Sequence, residues 1–373
     1  MNYSDGPWVI FQPCDILTHS SNWSHRQHFR CSLAQFVGVW SGYVLPVVTV
    51  LTAIFNLLIC VSITLKGSKV SKQMIYISGV CLFSVISNGV LVWLRQFPSV
   101  GLPYATNRKT YFTFIFISPF VCRLYRFVYT FSCTAMCNMR VCASLCRCLA
   151  ICTPMKYKSC SNRTAWYIYG IIIIVSAFLM LPFAIYADWF PSNGKIRCWY
   201  NPHDVGLQIY QALLSNLGPV QNILLIILDL TFAIKIRQQR HGALIIASTQ
   251  VERKQLRISI LLLISSVTFI CVAVPHGVFY LLGRIYIIKS RERRADGFLH
   301  LATVFWFIND IRELSDIVIY LVCFKASEQI FAHFSSMYEK IVGGFKVSFN
   351  KIHWCISEDF RVTMPRILKT EVK

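Results

Sequence analysis

Seven separate apolar stretches, each long enough to cross a bilayer, constrain what this chain can fold into. They run over 36–65, 73–97, 119–152, 165–188, 206–236, 255–285 and 297–323. About 20 apolar residues in helical form cover a hydrocarbon core of ~30 Å. Lipid offers no hydrogen-bond partner to exposed backbone groups, so each crossing must satisfy its own, as a helix does. Polar and turn residues separate the runs, at 66–72, 154–163, 191–204 and 237–254. The expected fold is an all-α membrane protein. Residues 1–35 precede a seven-transmembrane-helix bundle over 36–323, and 324–373 form a tail; no internal repeat or second soluble domain is evident.

Composition agrees with bilayer as the solvent. Hydrophobic residues make up 55% of the 373 and charged ones 14%, and the mean hydropathy is +0.53. The net charge of +21 raises nucleic-acid binding, but Lys and Arg fall in the short gaps between apolar runs, where they orient a membrane protein. No basic stripe spaced for phosphates is present, so no nucleic-acid partner is expected. The 16 cysteines sit mostly inside apolar runs, as in Cys133 to Cys152, where Cys is a small packing residue. No signal peptide is visible before residue 36, so the first membrane helix is expected to do the targeting.

Basic residues concentrate in the segments that an outside N-terminus would place in the cytoplasm, although the loop Arg284 to Arg294 weakens the contrast. Two glycosylation sequons, at Asn2 and Asn22, fall in the N-terminal segment and support the same orientation. A third, at Asn162, falls inside and is expected to stay bare. Between span four and span five, Asn193-Gly194 lies among apolar and aromatic residues (Trp189, Phe190, Ile196, Trp199, Tyr200). Asn-Gly supplies the positive φ angles of a two-residue type I′ turn, which predicts a β-hairpin in this loop.

At the end of the third span the chain reads Cys146-Arg147-Cys148-Leu149-Ala150-Ile151-Cys152-Thr153-Pro154-Met155-Lys156-Tyr157. This resembles the signature of rhodopsin-like (class A) G-protein-coupled receptors, in which Asp-Arg-Tyr is followed by Leu-Ala-Ile-Cys, a Pro and a basic-aromatic pair. Only the Arg of the triplet is kept. The chain is similar to a divergent member, of invertebrate peptide-receptor type, and the resemblance covers 36 to about 340.

The resemblance implies a disulfide from Cys122, 25 residues before Arg147, to Cys198 in the hairpin loop. Cys14 and Cys31 are also expected outside, and the sequence leaves their pairing open. Asn56 resembles the polar Asn of the first helix, Phe269 and Pro275 the sixth-helix Phe and Pro, and Pro219 the fifth-helix Pro. Asp316-Ile317-Val318-Ile319-Tyr320 stands where Asn-Pro-x-x-Tyr is expected. Ala273 replaces a Trp, the fourth-helix Trp is out of place, and Ser84 replaces the second-helix Asp. Without that carboxylate the family's sodium site is in doubt, since a hard cation wants carboxylate oxygens. Cys146 and Gln255 replace the acids that restrain the triplet Arg, so its restraining salt bridges are expected to be missing. The resemblance thereby implies Arg147 as the coupling residue for a heterotrimeric G protein, with high activity in the absence of ligand.

Ionisable residues inside the membrane are costly and need partners. Arg126, Cys133, Arg140 and Arg147 recur every seven residues on the third helix, while Asp310, Glu313, Ile317 and Tyr320 share a face of the seventh. Opposed stripes predict a buried ionic seam between the two helices. Arg140 lies about 10 Å from Arg147 along the helix, and Asp316 is its expected partner; the sequence leaves open whether that pair favours the open or the closed bundle.

Candidate ligand residues are Arg126, Tyr129 and Thr130 on helix three, His276 and Tyr280 on helix six, Trp306 and Asp310 on helix seven, and Trp199 in the loop. Tyr129 occupies the place where aminergic members carry an Asp, which argues against a monoamine. An aromatic pocket with both charge signs suits an extracellular peptide. A small anionic or lipid ligand is the alternative suggested by the basic outer loop, and a transporter or channel is the rival class.

Cys133, Cys137, Cys142 and Cys146, and His19, His25, His28 and Cys31, lack a closed ligand pattern, so no metal or cofactor is expected. No enzyme motif is found. Phe324, Phe331, Phe334, Tyr338 and Ile341 form an apolar stripe that predicts an amphipathic eighth helix along the inner leaflet, with Cys323 and Cys355 as acylation candidates.

Overall fold

The computed structural model describes residue 11, residues 14–15, 25–66, 71–192, 195–201, 204–214, 219–242, 250–288 and 292–323. The chain divides into two units, Met1–Tyr320 and Leu321–Lys373. Of the second, only the helix end up to Cys323 is described. The expected eighth helix, Cys355, the sequons at Asn2 and Asn22 and the Asn193-Gly194 turn all lie outside the described residues. So do the side chains of Gln255 and Tyr320, although both sit within helices.

Helix α1 runs His25–Val39, passes through a π-helical turn Trp40–Val44, and continues as Leu45–Lys66. Helix α2 does the same at its far end: Lys72–Leu91 leads into a π-helical stretch Val92–Gly101 and then Leu102–Ala105. Helix α3 is Pro119–Cys152, followed by the short α4, Pro154–Ser159, and by α5, Asn162–Tyr186. Strands β1 (Ala187–Ser192) and β2 (Lys195–Tyr200) come next, then α6 (Val205–Leu214), α7 (Pro219–Gly242), α8 (Gln250–Ile288) and α9 (Glu292–Cys323).

Local chemistry sets several of these starts. Ser118 accepts a hydrogen bond from the Val121 backbone N–H at 3.2 Å and is followed by Pro119, a residue suited to a first helical turn. Ser161 caps α5 in the same way, through Thr164. The fifth apolar run is described as α6 and α7, on either side of residues 215–218, which lie outside the described residues.

Six helical stretches are long and apolar enough to cross a bilayer among the described residues, from Gln27–Leu65 to Ser259–Gly283. Helix α9 has the length, 32 residues, but carries Asp310, Arg312, Glu313 and Asp316 within two turns. Those four side chains are buried rather than lipid-facing. The charges therefore belong to the bundle interior, and α9 completes the seven-helix fold.

Helix α3 packs on α2, α5 and α7, and its interior face carries Cys133, Cys137, Met139 and Ala143, all nearly inaccessible. Small side chains let neighbouring backbones approach, the main source of helix association in lipid. The tightest backbone approach at a described glycine joins the two π-helical segments. A Cβ on Gly101 would collide with the Ser41 carbonyl oxygen and touch the Gly42 Cα, both backbone. Gly101→Ala is therefore expected to push α1 from α2 and lower the thermal midpoint of the solubilised protein by several degrees, whereas Gly89→Ala, where a Cβ meets nothing within 4 Å, should leave it unchanged.

Candidate ligand site and buried ionic network

The hairpin is held against one end of α3. Its register places Trp189 opposite Cys198 and Ser192 opposite Lys195, which matches a two-residue connection. Cys122 and Cys198 form the expected disulfide, with Cα atoms 5.7 Å apart. Arg123 donates from Nε to the Ala187 carbonyl at 3.0 Å and from Nη2 to Asp188 at 2.7 Å. The Trp189 backbone N–H, together with Arg123, holds the Asp188 carboxyl below the usual carboxylate range. This tie is intact above the ordinary carboxylate pKa and is lost only as pH falls through the lowered folded value. Cys14 and Cys31 also form a disulfide, and Asp15 pairs with Arg108.

One turn further along α3, Arg126 donates from Nε and Nη2 to the Cys198 carbonyl at 3.1 and 2.6 Å. Its guanidinium lies 3.8 Å from the centre of the Trp199 ring. Beneath it, aromatic rings from three helices converge. Tyr129 meets Trp306 at 6.3 Å between centroids, Trp306 meets His276 at 5.2 Å, and His276 meets Tyr280 at 6.1 Å. The His276 Nδ1 lies 2.8 Å from the Ala302 carbonyl, which ties α8 to α9.

Two of the eight sequence candidates stand apart from this cluster. Thr130 is 1% exposed and turns its hydroxyl onto the Arg126 carbonyl of its own helix at 2.7 Å. Asp310 is buried among Trp40, Arg312 and Glu313. Arg95, in the π-helical part of α2, acts electrostatically on both Arg126 and Tyr129. Sequence reasoning passed over it, although a basic residue at the edge of an apolar run was the signal.

Deeper in the bundle the ionic groups form a network across α2, α3, α8 and α9. Arg140 lies 3.4 Å from Asp316, as expected from the sequence. Asp316 also accepts from Ser265 at 2.6 Å and from Arg312 one turn earlier on α9. The Phe269 ring lies between two guanidinium groups, Arg140 at 4.5 Å and Arg312 at 5.1 Å. Glu313 accepts from Ser84 at 3.0 Å and from Asn88, and sits 3.8 Å from Arg312. The carboxylate that helix two lacks at Ser84 is thus supplied from α9. Asn56 is buried on α1, and Pro275 lies within α8, six residues after Phe269.

The expected seam is corrected in two respects. Among the described residues, Arg140 of the α3 stripe pairs with an acid of α9, whereas Arg126 bonds the hairpin carbonyl and Arg147 pairs with an acid of α7. The expectation that Arg147 lacks a restraining carboxylate is also corrected: Asp229 lies 3.1 Å away, and both side chains are buried. The signal was an acid inside the fifth apolar run, which by the cost of burying charge had to have a partner. A cavity of about 20 Å³ separates the Arg140 and Arg147 layers, lined also by Ser144, Leu262, Ser265 and Ser266. It is large enough for one water molecule.

No group of three or more His, Cys, Asp or Glu side chains placed to hold a metal occurs among the described residues. Comparison with curated proteins gives no match. The family described as 7 transmembrane receptor (rhodopsin family) matches residues 55–311, more than half of the chain. Taken with the helical bundle and the hairpin disulfide, that match places this multi-pass membrane protein in the rhodopsin family of seven-transmembrane receptors.

Proposed function

We propose that this receptor binds an extracellular peptide at the hairpin end of the bundle and activates a heterotrimeric G protein at the other, with its N-terminus outside. The observation that carries the reading is the pairing of Arg147 with Asp229. A buried arginine held by a carboxylate on a different helix is an element with two states, since separating α7 from α3 frees the guanidinium toward the opening bundle. The aromatic cluster of Tyr129, His276, Tyr280 and Trp306, with Arg126 and Trp199 at its edge, supports ligand binding at the opposite end. Rings on three different helices let one ligand bias their relative placement. Asn56, Phe269, Pro275, Asp316 and Tyr320 serve the transition between the two ends.

A peptide screen reading ligand-dependent nucleotide exchange on several G proteins tests this reading. Ion flux through the purified protein in liposomes, with no exchange at any ligand, would replace it with the transporter class. The orientation has its own test. Asn2 or Asn22 should carry glycan and Asn162 none, because the glycosylating enzyme reads only translocated sequons. A glycan on Asn162 would reverse the topology.

A further inference from the structure

Buried guanidinium groups in this bundle have carboxylates beside them, with one exception among the described residues. Arg140 has Asp316, Arg147 has Asp229, and Arg312 has Asp316 and Glu313, each within 4 Å. Arg126 is as deeply buried, at 5% exposure, yet its partners among the described residues are neutral: the Cys198 carbonyl, the Trp199 indole face and, at 5.8 Å, the Tyr125 ring. Among charged groups, the largest electrostatic influence on it comes from another cation, Arg95. A carbonyl and a ring quadrupole soften such a charge without neutralising it, and a second positive group adds to the cost. Nε and one hydrogen of Nη2 serve the Cys198 carbonyl, which leaves Nη1 and the second Nη2 hydrogen as a fork.

We infer that the ligand brings the missing anion: a carboxylate seated against Arg126 and Arg95, with an aromatic group of the same ligand on the Tyr129, Trp306 and His276 rings. This rests on the reading of the hairpin end as the ligand site and specifies its chemistry. The carboxylate could belong to a peptide C-terminus or to an acidic side chain, and the two sources share one recognition geometry, a guanidinium fork facing two oxygens. Arg126 then links ligand to loop, since the same guanidinium holds Cys198 and so the hairpin.

The test uses the full-length protein in nanodiscs and reads the thermal midpoint against probe concentration. Three probes suffice: acetyl-Phe-Phe with a free C-terminal carboxylate, the same dipeptide as its C-terminal amide, and acetyl-Asp-Phe-amide, which carries its carboxylate on a side chain. At least one acid probe should raise the midpoint saturably at millimolar concentration, and the uncharged amide should not. Which acid probe acts distinguishes a terminal from a side-chain carboxylate. Arg95→Gln and Arg126→Gln should each weaken the effect about tenfold or more, the loss of a charge-assisted hydrogen bond, while Arg126→Lys keeps part of it. Arg126→Gln also loses the hairpin contact, so Arg95→Gln, at a half-buried position, decides if that variant fails to fold. The inference is overturned if the amide protects as well as the acids, if no acid probe protects, or if Arg95→Gln binds like the unaltered protein. Nucleotide exchange plays no part in this readout, so a failure here leaves the receptor reading standing.

Discussion

Asp316→Ala should leave little folded protein to extract from the membrane. Asp316 is 3% exposed and accepts from Arg140, Arg312 and Ser265. Its removal takes the carboxylate from between two buried guanidinium groups that flank the Phe269 ring, and leaves Arg312 with Glu313 at 3.8 Å. Removing one partner of a buried ion pair costs about 3–5 kcal/mol, a large part of a total stability of about 5–15 kcal/mol. Asp316→Asn keeps an acceptor for Ser265 and should lose less. Arg140→Leu combined with Asp316→Leu should recover part of the yield, because both members of one pair are then replaced by apolar groups. Monodisperse yield and thermal midpoint in detergent would show the order. An Asp316→Ala protein with unchanged midpoint would mean that the network contributes nothing to holding the helices together.

Asp229→Asn should raise ligand-independent signalling, a reversal of what the sequence alone implied. Without the structure, the Cys146 and Gln255 substitutions read as the absence of any restraint on Arg147, and high basal activity followed. The carboxylate on α7 restores a restraint from another direction, so the unaltered receptor should be quiet. Asparagine keeps the shape and removes the charge. A charge-assisted hydrogen bond is worth about 1.5–3 kcal/mol, so basal nucleotide exchange should rise about tenfold or more, given that the active state is a minor one. Arg147→Ala should show no exchange while expression and ligand binding persist.

Much of the fold was legible because hydrophobic length is a direct physical signal. The apolar run 119–152 matches the third helix, Pro119–Cys152, and the hairpin expected from Asn193-Gly194 is present as two antiparallel strands. The Arg140–Asp316 pair was legible because both charges lie inside apolar runs at similar depth. Its neighbours were harder. Arg312 follows Asp310 and precedes Glu313, so sequence could read it as paired locally, whereas its strongest partner is Asp316 one helical turn later. Asp229 was the one acid of its run and Arg95 the one charge of its own, and such a charge names no partner until the helices are placed.

The central claim is that Arg147 drives coupling and Asp229 holds it back. Its most direct test needs no ligand: basal nucleotide exchange on heterotrimeric G protein, measured with purified receptor in nanodiscs for the unaltered chain, Asp229→Asn, Arg147→Ala and the double variant. The account predicts low exchange for the unaltered receptor, a clear rise for Asp229→Asn, and silence for both proteins that lack Arg147. Full exchange by Arg147→Ala, or a double variant as active as Asp229→Asn alone, would contradict it.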